Sequence, residues 1–97
     1  MPTELLKPNT NLRIRFTPDR RRRFDYYVEA DRPVTTFILD RDELDRFDKG
    51  ADFVNSVGGY NRRRRHEGRV RLPSDDEWYF LIVNEENEPV AVHYDLP

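Results

Sequence analysis

The chain contains no cysteine, which excludes disulfides, thiolate metal sites and cysteine nucleophiles. It also lacks a long apolar run, since no stretch approaches the roughly 20 apolar residues that a membrane helix needs. The first residues, 1–7, have no apolar region of the kind found in a signal peptide. Together these absences lead us to expect a cytoplasmic protein that does not enter a membrane.

The length and composition set the scale of the fold. The chain has 97 residues, of which 36% are hydrophobic and 37% charged, so it can bury one modest core. Six Phe, five Tyr and one Trp supply large buried areas and favour a globular chain over a disordered one. We expect a loose N-terminal arm over residues 1–11, with proline breakers, and a single domain over 12–97.

Short alternating segments dominate the rest of the sequence. Leu12, Ile14 and Phe16 alternate with arginines, and this period of two indicates a half-buried strand. Turn residues are frequent, including those at 17–19 and 30–33. The pattern predicts an all-β, antiparallel sandwich of about seven short strands. The expected extended segments are 12–16, 24–29, 34–39, 60–66, 70–72, 78–83 and 90–95.

The period changes once, after the third of these segments. Asp40 is placed to cap a short helix over 41–48, with Glu43 three residues later as in a capping box. Gly50 is suited to end it. Beyond the helix, we expect Phe53 and Val54 to return to the core and the Gly58-Gly59 pair to form a tight turn.

The hexapeptide 78–83 is the most apolar segment. Trp78, Phe80 and Ile82 point to one side of a strand and the three residues between them to the other. This pattern predicts a central strand with both faces covered. The second face must lie under the helix or the N-terminal arm, or serve as a binding surface.

The order of several elements resembles a known type of domain. The elements are a strand ending in aspartate (34–40), the segment Phe47-Asp48-Lys49-Gly50, Phe53, the Gly58-Gly59 pair, Val70-Arg71-Leu72-Pro73, an acidic turn, the aromatic strand 78–84 and the strand 90–92. The stretch from about Tyr27 to Tyr94 looks like a GOLD-type β-sandwich. It is also similar to a small bacterial family of unknown function that is sometimes found beside TIR domains.

The resemblance implies a compact sandwich that binds other proteins or accompanies an effector, and it implies no catalytic residue. The chain departs from the eukaryotic GOLD proteins because it lacks their signal peptide, coiled coil and membrane helix. We therefore do not expect their role in vesicle cargo transport here. The arginine runs also lie outside the resemblance.

Two arginine runs are the conspicuous clusters of the sequence. They are Arg20, Arg21, Arg22 and Arg23, and Arg62, Arg63, Arg64 and Arg65, the second extended by His66, Arg69 and Arg71. Guanidinium groups pair well with phosphate oxygens, and Tyr60 could stack on a single-stranded base. Alternatively, the runs are solvated surface that pairs with the chain's many acids. An acidic protein partner, or head-to-tail pairing between copies, is a third interpretation.

Nothing in the sequence indicates a catalytic or metal-binding site. The two histidines, His66 and His93, lack a compact ligand spacing for a metal, and His93 falls on the surface side of its strand. No nucleophile motif accompanies Ser74. We expect no cofactor, metal or small-molecule substrate, and predict a non-catalytic protein-binding or assembly module. The alternative is a small nucleic-acid-binding β protein that uses the arginine runs.

Overall fold

The computed structural model describes residues 3–96; the remaining residues of the expected arm and domain, 1, 2 and 97, lie outside this range. Within the described range the fold is mostly antiparallel β with one helix, as the sequence predicted. The elements are β1 (Thr3–Leu6), β2 (Asn11–Phe16), β3 (Arg23–Asp40), α1 (Arg41–Asp48), β4 (Arg63–Arg71), β5 (Trp78–Val83) and β6 (Val90–Asp95). No helix within 3–96 has both the length and the apolar character that crossing a membrane requires.

The strands form a curled sheet organised around β3. The order is β1-β6-β3-β5-β2, and β4 pairs with β3 in addition. Residues 27–30 of β3 pair with β6, while residues 35–40 pair with β5. Because one strand changes neighbours halfway along, the sheet bends around its own core.

The predicted turn at 30–33 is wrong, since these residues belong to the 18-residue strand β3. The register with β4 shifts between Glu29 and Val34, which marks a bulge. Pro33 lies within the shift, where its missing N–H breaks no regular ladder bond. The Asp31 carboxylate accepts a hydrogen bond from the Ala91 amide at 3.0 Å. Turn-forming residues here produce a bend inside a strand.

The described residues form six strands where the sequence predicted about seven. The segments 24–29 and 34–39 merge into β3, and residues from 60–66 and 70–72 merge into β4. Gly68 lies in the middle of β4 opposite Tyr26, and a Cβ built there would lie 2.5 Å from the Tyr26 hydroxyl. The glycine therefore makes room for a buried tyrosine within a continuous strand.

Part of the stretch expected as a loose arm is a strand. Residues 3–6 form β1, which pairs antiparallel with β6. Leu6 is buried in the core, whereas Leu5 is 68% exposed. The two adjacent leucines conceal the alternation of apolar and polar residues that would have indicated a strand. The hydrogen bonds that order this segment come from the edge of β6.

The main core lies on one side of the curled sheet. Phe24, Tyr26 and Phe80 form an aromatic group with ring centroids 5.3–5.9 Å apart, and Trp78 and Ile82 are buried beside it. Side chains from both halves of β3 contribute to this cluster. The aromatic residues thus join the two regions of the sheet through one apolar interior.

The hexapeptide of β5 is central and covered on both faces, which confirms the prediction. It pairs with β2 on one side and with β3 on the other. Leu81 is fully buried in a second cluster with Leu39 and Leu44 of α1, with Phe47 packed against it. The helix, rather than a binding partner, covers the outer face.

The helix α1 begins and ends as its sequence predicts. The Asp40 carboxylate accepts a hydrogen bond from the Glu43 amide at 2.9 Å, and the Gly50 amide, at φ +77°, donates to the Phe47 carbonyl. Glu43 does not return to the cap, because its carboxylate accepts from the Asn55 amide at 2.7 Å and from Arg46. These hydrogen bonds lower the pKa of Glu43 against the opposing effect of burial.

Phe53 does not return to the core as expected. It is 68% exposed, with the Arg46 guanidinium 5.3 Å from its ring centroid. Val54, by contrast, packs against the second cluster. The following residues lie along β3, where the Val57 amide donates to the Ile38 carbonyl. The segment after the helix thus runs beside the edge of β3, with Val54 rather than Phe53 packed against the apolar cluster.

Candidate interaction site on the open edge of β4

The strand β4 is paired on one side. The Leu72 amide donates to the Arg22 carbonyl at 2.6 Å, so the even-numbered residues of this strand direct their backbone groups toward β3. The odd-numbered residues direct theirs to the opposite side, where no strand within 3–96 pairs with them. There the Tyr60 hydroxyl donates to the Glu67 carbonyl at 3.2 Å. The open edge therefore extends mainly from the Glu67 amide to Arg71.

The residues of β4 with outward side chains lie opposite residues of β3 in the register of the two strands. Arg65 lies opposite Glu29, and Arg69 lies opposite Asp25 with its Nε 2.8 Å from a carboxylate oxygen. Arg71, however, lies opposite Arg23. Like charges directly opposite each other destabilise an antiparallel pair. The register thus places an acid opposite two of these arginines and another cation opposite the last.

The run Arg62 to Arg65 is mostly engaged within the chain. Arg62 forms an ion pair with Glu86 at 3.2 Å, and Arg65 lies 3.4 Å from Glu67. The Arg63 guanidinium lies 4.3 Å from the centre of the Tyr60 ring. Among the described residues, Arg64 alone in this run has no such contact.

Tyr60 and His66 are held by the fold. The Tyr60 ring, expected as a stacking surface, has Arg63 over it and the His66 ring 5.8 Å away. His66, expected to extend the basic patch, is fully buried. Its Nε2 lies 2.9 Å from the Val34 carbonyl oxygen and 2.8 Å from that of Arg63. Because carbonyl oxygens only accept hydrogen bonds, Nε2 carries a hydrogen.

The Nδ1 of His66 lies 2.9 Å from the Thr36 hydroxyl, which donates to it when the imidazole is neutral. Burial lowers the pKa of His66, although the two carbonyls oppose that effect. A longer predicted strand would have placed His66 on the core-facing side of β4, because side chains alternate between the two faces along it. The short predicted strands concealed it. His93, in contrast, is exposed as expected, with its Nδ1 2.8 Å from the Thr3 hydroxyl.

The run Arg20 to Arg23 forms the turn that leads into β3. The Asp19 carboxylate accepts hydrogen bonds from the backbone amides of Arg21 and Arg23, at 2.9 and 3.4 Å. Arg22 adopts φ +55° and donates through its guanidinium to the Pro73 carbonyl at 3.0 Å. The nearest acid therefore binds the backbone of the turn rather than the guanidinium groups.

A basic hollow lies where this turn meets the end of β4. It has a volume of about 450 Å³ and is lined by Arg21, Arg23, Arg69, Val70 and Arg71. Among the described residues, only Arg69 of these four arginines has an ion-pair partner, Asp25. We refer to this site as the arginine hollow.

The structure does not bring the two arginine runs together. Arg23 lies opposite Arg71 at one end of β4, while Arg63 lies opposite Val34 at the other, a separation of roughly 27 Å at about 3.4 Å per residue. Arg69 and Arg71, which the sequence assigned to the second run, instead join the first. This grouping depends on strand register, which no local pattern of the sequence reveals.

The outward face between the two runs carries acids. A wider hollow of about 710 Å³ is lined by residues that include Asp25, Tyr27, Glu67 and Asp95. The Tyr27 hydroxyl donates to the Glu29 carboxylate at 2.8 Å, and this hydrogen bond raises the pKa of Tyr27. Within residues 3–96, no three His, Cys, Asp or Glu side chains are grouped so as to hold a metal ion.

Comparison with protein-family models and with curated proteins finds no match to this chain.

Proposed function

We propose that this protein is a non-catalytic protein-binding module whose binding site is the open edge of β4. Its ligand is an extended, acidic segment of a partner protein, which adds a strand beside residues 67–71. The observation that carries the proposal is that no strand within residues 3–96 pairs with this edge, which lies beside the arginine hollow.

The backbone of β4 supports this mode of binding. Main-chain hydrogen bonds give affinity when a peptide joins a sheet edge, and the odd-numbered residues from Glu67 to Arg71 direct such groups outward. At the preceding end, Tyr60 occupies the Glu67 carbonyl. An added strand is therefore expected to pair with the Arg69 and Arg71 end.

The charge of the edge supports an acidic ligand. Residues 67–71 contain two arginines and one glutamate, and Arg21 and Arg23 lie beside them in the arginine hollow, so a carboxylate-rich segment would meet mostly complementary charge. Charged side chains also discourage indiscriminate pairing of sheet edges. The same arginines would thus reject neutral strands and favour acidic ones.

The charge distribution favours a peptide over a nucleic acid. Between the two ends of β4, Asp25, Glu29 and Glu67 interrupt the basic surface, and a long polyanion that lay across this face would meet them. The Tyr60 ring, which could have stacked on a base, is covered by Arg63. A short ligand at the Arg69 and Arg71 end avoids Glu29 and Tyr60, and it meets Asp25 only as the ion-pair partner of Arg69.

The proposal also includes the finer description of the fold and location. We infer a GOLD-type two-layer sandwich that acts in the cytoplasm. The changed partners of β3 and a core shared by its two halves support the two layers. The absence of cysteine is compatible with a reducing compartment.

The test uses a blocked synthetic peptide, Glu-Val-Glu-Ser-Glu-Val-Glu, titrated into the ¹⁵N-labelled protein. We expect amide shifts concentrated at residues 67–71. Arg69→Ala removes one charge and should weaken binding, whereas Arg69→Pro also removes an outward N–H without removing a β3 hydrogen bond. If the peptide forms a strand, Arg69→Pro should bind markedly more weakly than Arg69→Ala.

Equal binding by these two variants, both verified as folded by their NMR spectra, would contradict strand addition. Shifts confined to other faces would contradict the assigned edge. Tight, steeply salt-dependent binding of an oligonucleotide in place of the peptide would instead favour the nucleic-acid alternative.

A further inference from the structure

The arginine hollow offers a specific environment for a dianion. Arg71 lies directly opposite Arg23, and Arg21 and Arg69 line the same hollow. Only one carboxylate, that of Asp25, pairs with any of these four side chains among the described residues. Among the described residues, the other three arginines of the hollow, Arg21, Arg23 and Arg71, have no carboxylate partner.

The backbone beneath the hollow is fixed in advance. Asp19 accepts hydrogen bonds from the amides of Arg21 and Arg23, and the Leu72 amide closes onto the Arg22 carbonyl. The Arg22 side chain is tied to Pro73, outside the hollow lining. Binding an anion here would require ordering of side chains but little rearrangement of backbone, which lowers the cost of binding.

We propose that the arginine hollow binds the phosphate of a phosphorylated residue; that this residue belongs to an acidic partner segment rests on the proposed function. Planar guanidinium groups from two strands and a turn can surround a phosphate and donate paired hydrogen bonds to its oxygens. Near neutral pH a phosphate monoester carries up to two charges, which suits a hollow with four cations and one acid. The hollow borders residues 69–71, so an added strand would present a side chain to it.

The experiment compares the peptide used above with the same peptide phosphorylated on its serine, and also uses O-phosphoserine alone. We expect phosphorylation to tighten binding by roughly tenfold or more, as one or two charge-assisted hydrogen bonds would provide. O-phosphoserine should shift the amides of residues 21–23 and 69–71 even without a strand to hold it.

The variants separate this site from general charge. Arg71→Ala should abolish the gain in affinity from phosphorylation. Arg71→Lys should retain only part of it, because lysine keeps the charge but lacks the planar guanidinium group that donates paired hydrogen bonds. Arg64→Ala is the matched control: it removes the same charge from the other end of β4, roughly 24 Å away, and should leave the gain unchanged. Arg64 and Arg71 are both exposed, and the NMR spectrum of each variant reports its fold.

The outcomes distinguish the two proposals. Equal binding of both peptides at residues 67–71 would overturn the phosphate site and leave the edge site intact. O-phosphoserine shifts that disappear in Arg71→Ala would support the phosphate site even if neither peptide pairs with the edge. A gain that Arg64→Ala removes as fully as Arg71→Ala would overturn it, as would tighter binding of single-stranded DNA than of the phosphopeptide.

Discussion

The two arginine runs are nearly identical in sequence but have different environments in the fold. At the Arg62 end, Glu86, Glu67 and the Tyr60 ring contact the guanidinium groups. At the Arg23 end, the neighbouring Asp19 is occupied by backbone amides, and the residue opposite Arg23 is another arginine. Among the described residues, the same run of four arginines therefore has mostly internal partners in one place and few in the other.

The difference follows from what tertiary structure places beside each run. Exposed ion pairs are individually weak, so an arginine run does not by itself determine where acids gather. The anchors of the second run are instead buried polar groups, chiefly His66, and a tightly packed loop at Gly59. Three experiments test this comparison.

The largest effect is expected from Gly59→Ala. Gly59 has φ +96°, and a Cβ there would lie 2.2 Å from the Thr36 backbone oxygen. We expect the free energy of unfolding to fall by roughly 3 kcal/mol or more, from backbone strain plus overpacking. Urea denaturation measures the loss, and the contacts of Arg62 and Arg63 should be released with the loop.

Gly50→Ala is the matched control for this change. Gly50 also has positive φ, at +77°, but a Cβ there would have nothing within 4 Å. It should cost only the conformational strain, about 1 kcal/mol. Similar losses in the two variants would mean that the packing of the loop against β3 does not anchor the second run.

A smaller effect is expected from acidification. Burial lowers the folded-state pKa of His66 below the ordinary histidine value of 6.5, so the unfolded chain binds a proton before the folded chain does as the pH falls. Its contribution to stability is fully present above about pH 6.5 and is lost as the pH falls toward the lowered folded value. Urea denaturation between pH 7.5 and 5 should show this decline.

The two histidines provide the control. His93→Ala should preserve the decline because His93 is exposed, whereas His66→Gln removes the titrating group while retaining a hydrogen-bond donor and should flatten it. The pKa values of Glu43 and Asp48 are also lowered, by the Asn55 amide and by Arg13. The contributions of these two carboxylates to stability are lost only below about pH 4.5, which is the higher of their two unperturbed pKa values. An unchanged slope in His66→Gln would remove His66 as the cause.

The smallest effects should have opposite signs at the two ends of β4. Arg62→Ala breaks an ion pair with Glu86 and should lower stability by a few tenths of a kcal/mol, as is typical of exposed pairs. Arg71→Ala removes a like-charged neighbour of Arg23 and should raise stability by about the same amount. Thermal unfolding at low salt measures both, and 1 M NaCl should reduce both differences. A loss of stability in Arg71→Ala would mean that Arg71 makes favourable contacts that outweigh its repulsion from Arg23.

Local patterns predicted several elements well. The cap at Asp40, the helix that follows it and the buried hexapeptide of β5 depend on residues within a few positions of one another. Two strands, β2 and β6, were found from their alternation. Two predictions are wrong: Phe53 does not lie in the core, and residues 30–33 do not form a turn. The correct assignments depend on the neighbouring strands, which local patterns do not reveal.

The candidate site was only half predictable. The arginines themselves were evident, and the sequence identified both runs as candidates. Their partition was not, since the pairing of Arg23 with Arg71 joins residues 48 positions apart. His66 was missed for a different reason: its position between two arginine-rich segments suggested the surface, whereas it lies on the core-facing side of β4 and is fully buried.

The sequence by itself determined a mostly antiparallel β fold with one capped helix and a central aromatic strand, because alternation, capping and apolar length act over a few residues. Only the tertiary structure decided that a proline-containing bend lies inside β3, that β4 has an open side, and that four arginines line one hollow. These features depend on strand register, where a shift of one residue moves every side chain to the opposite face.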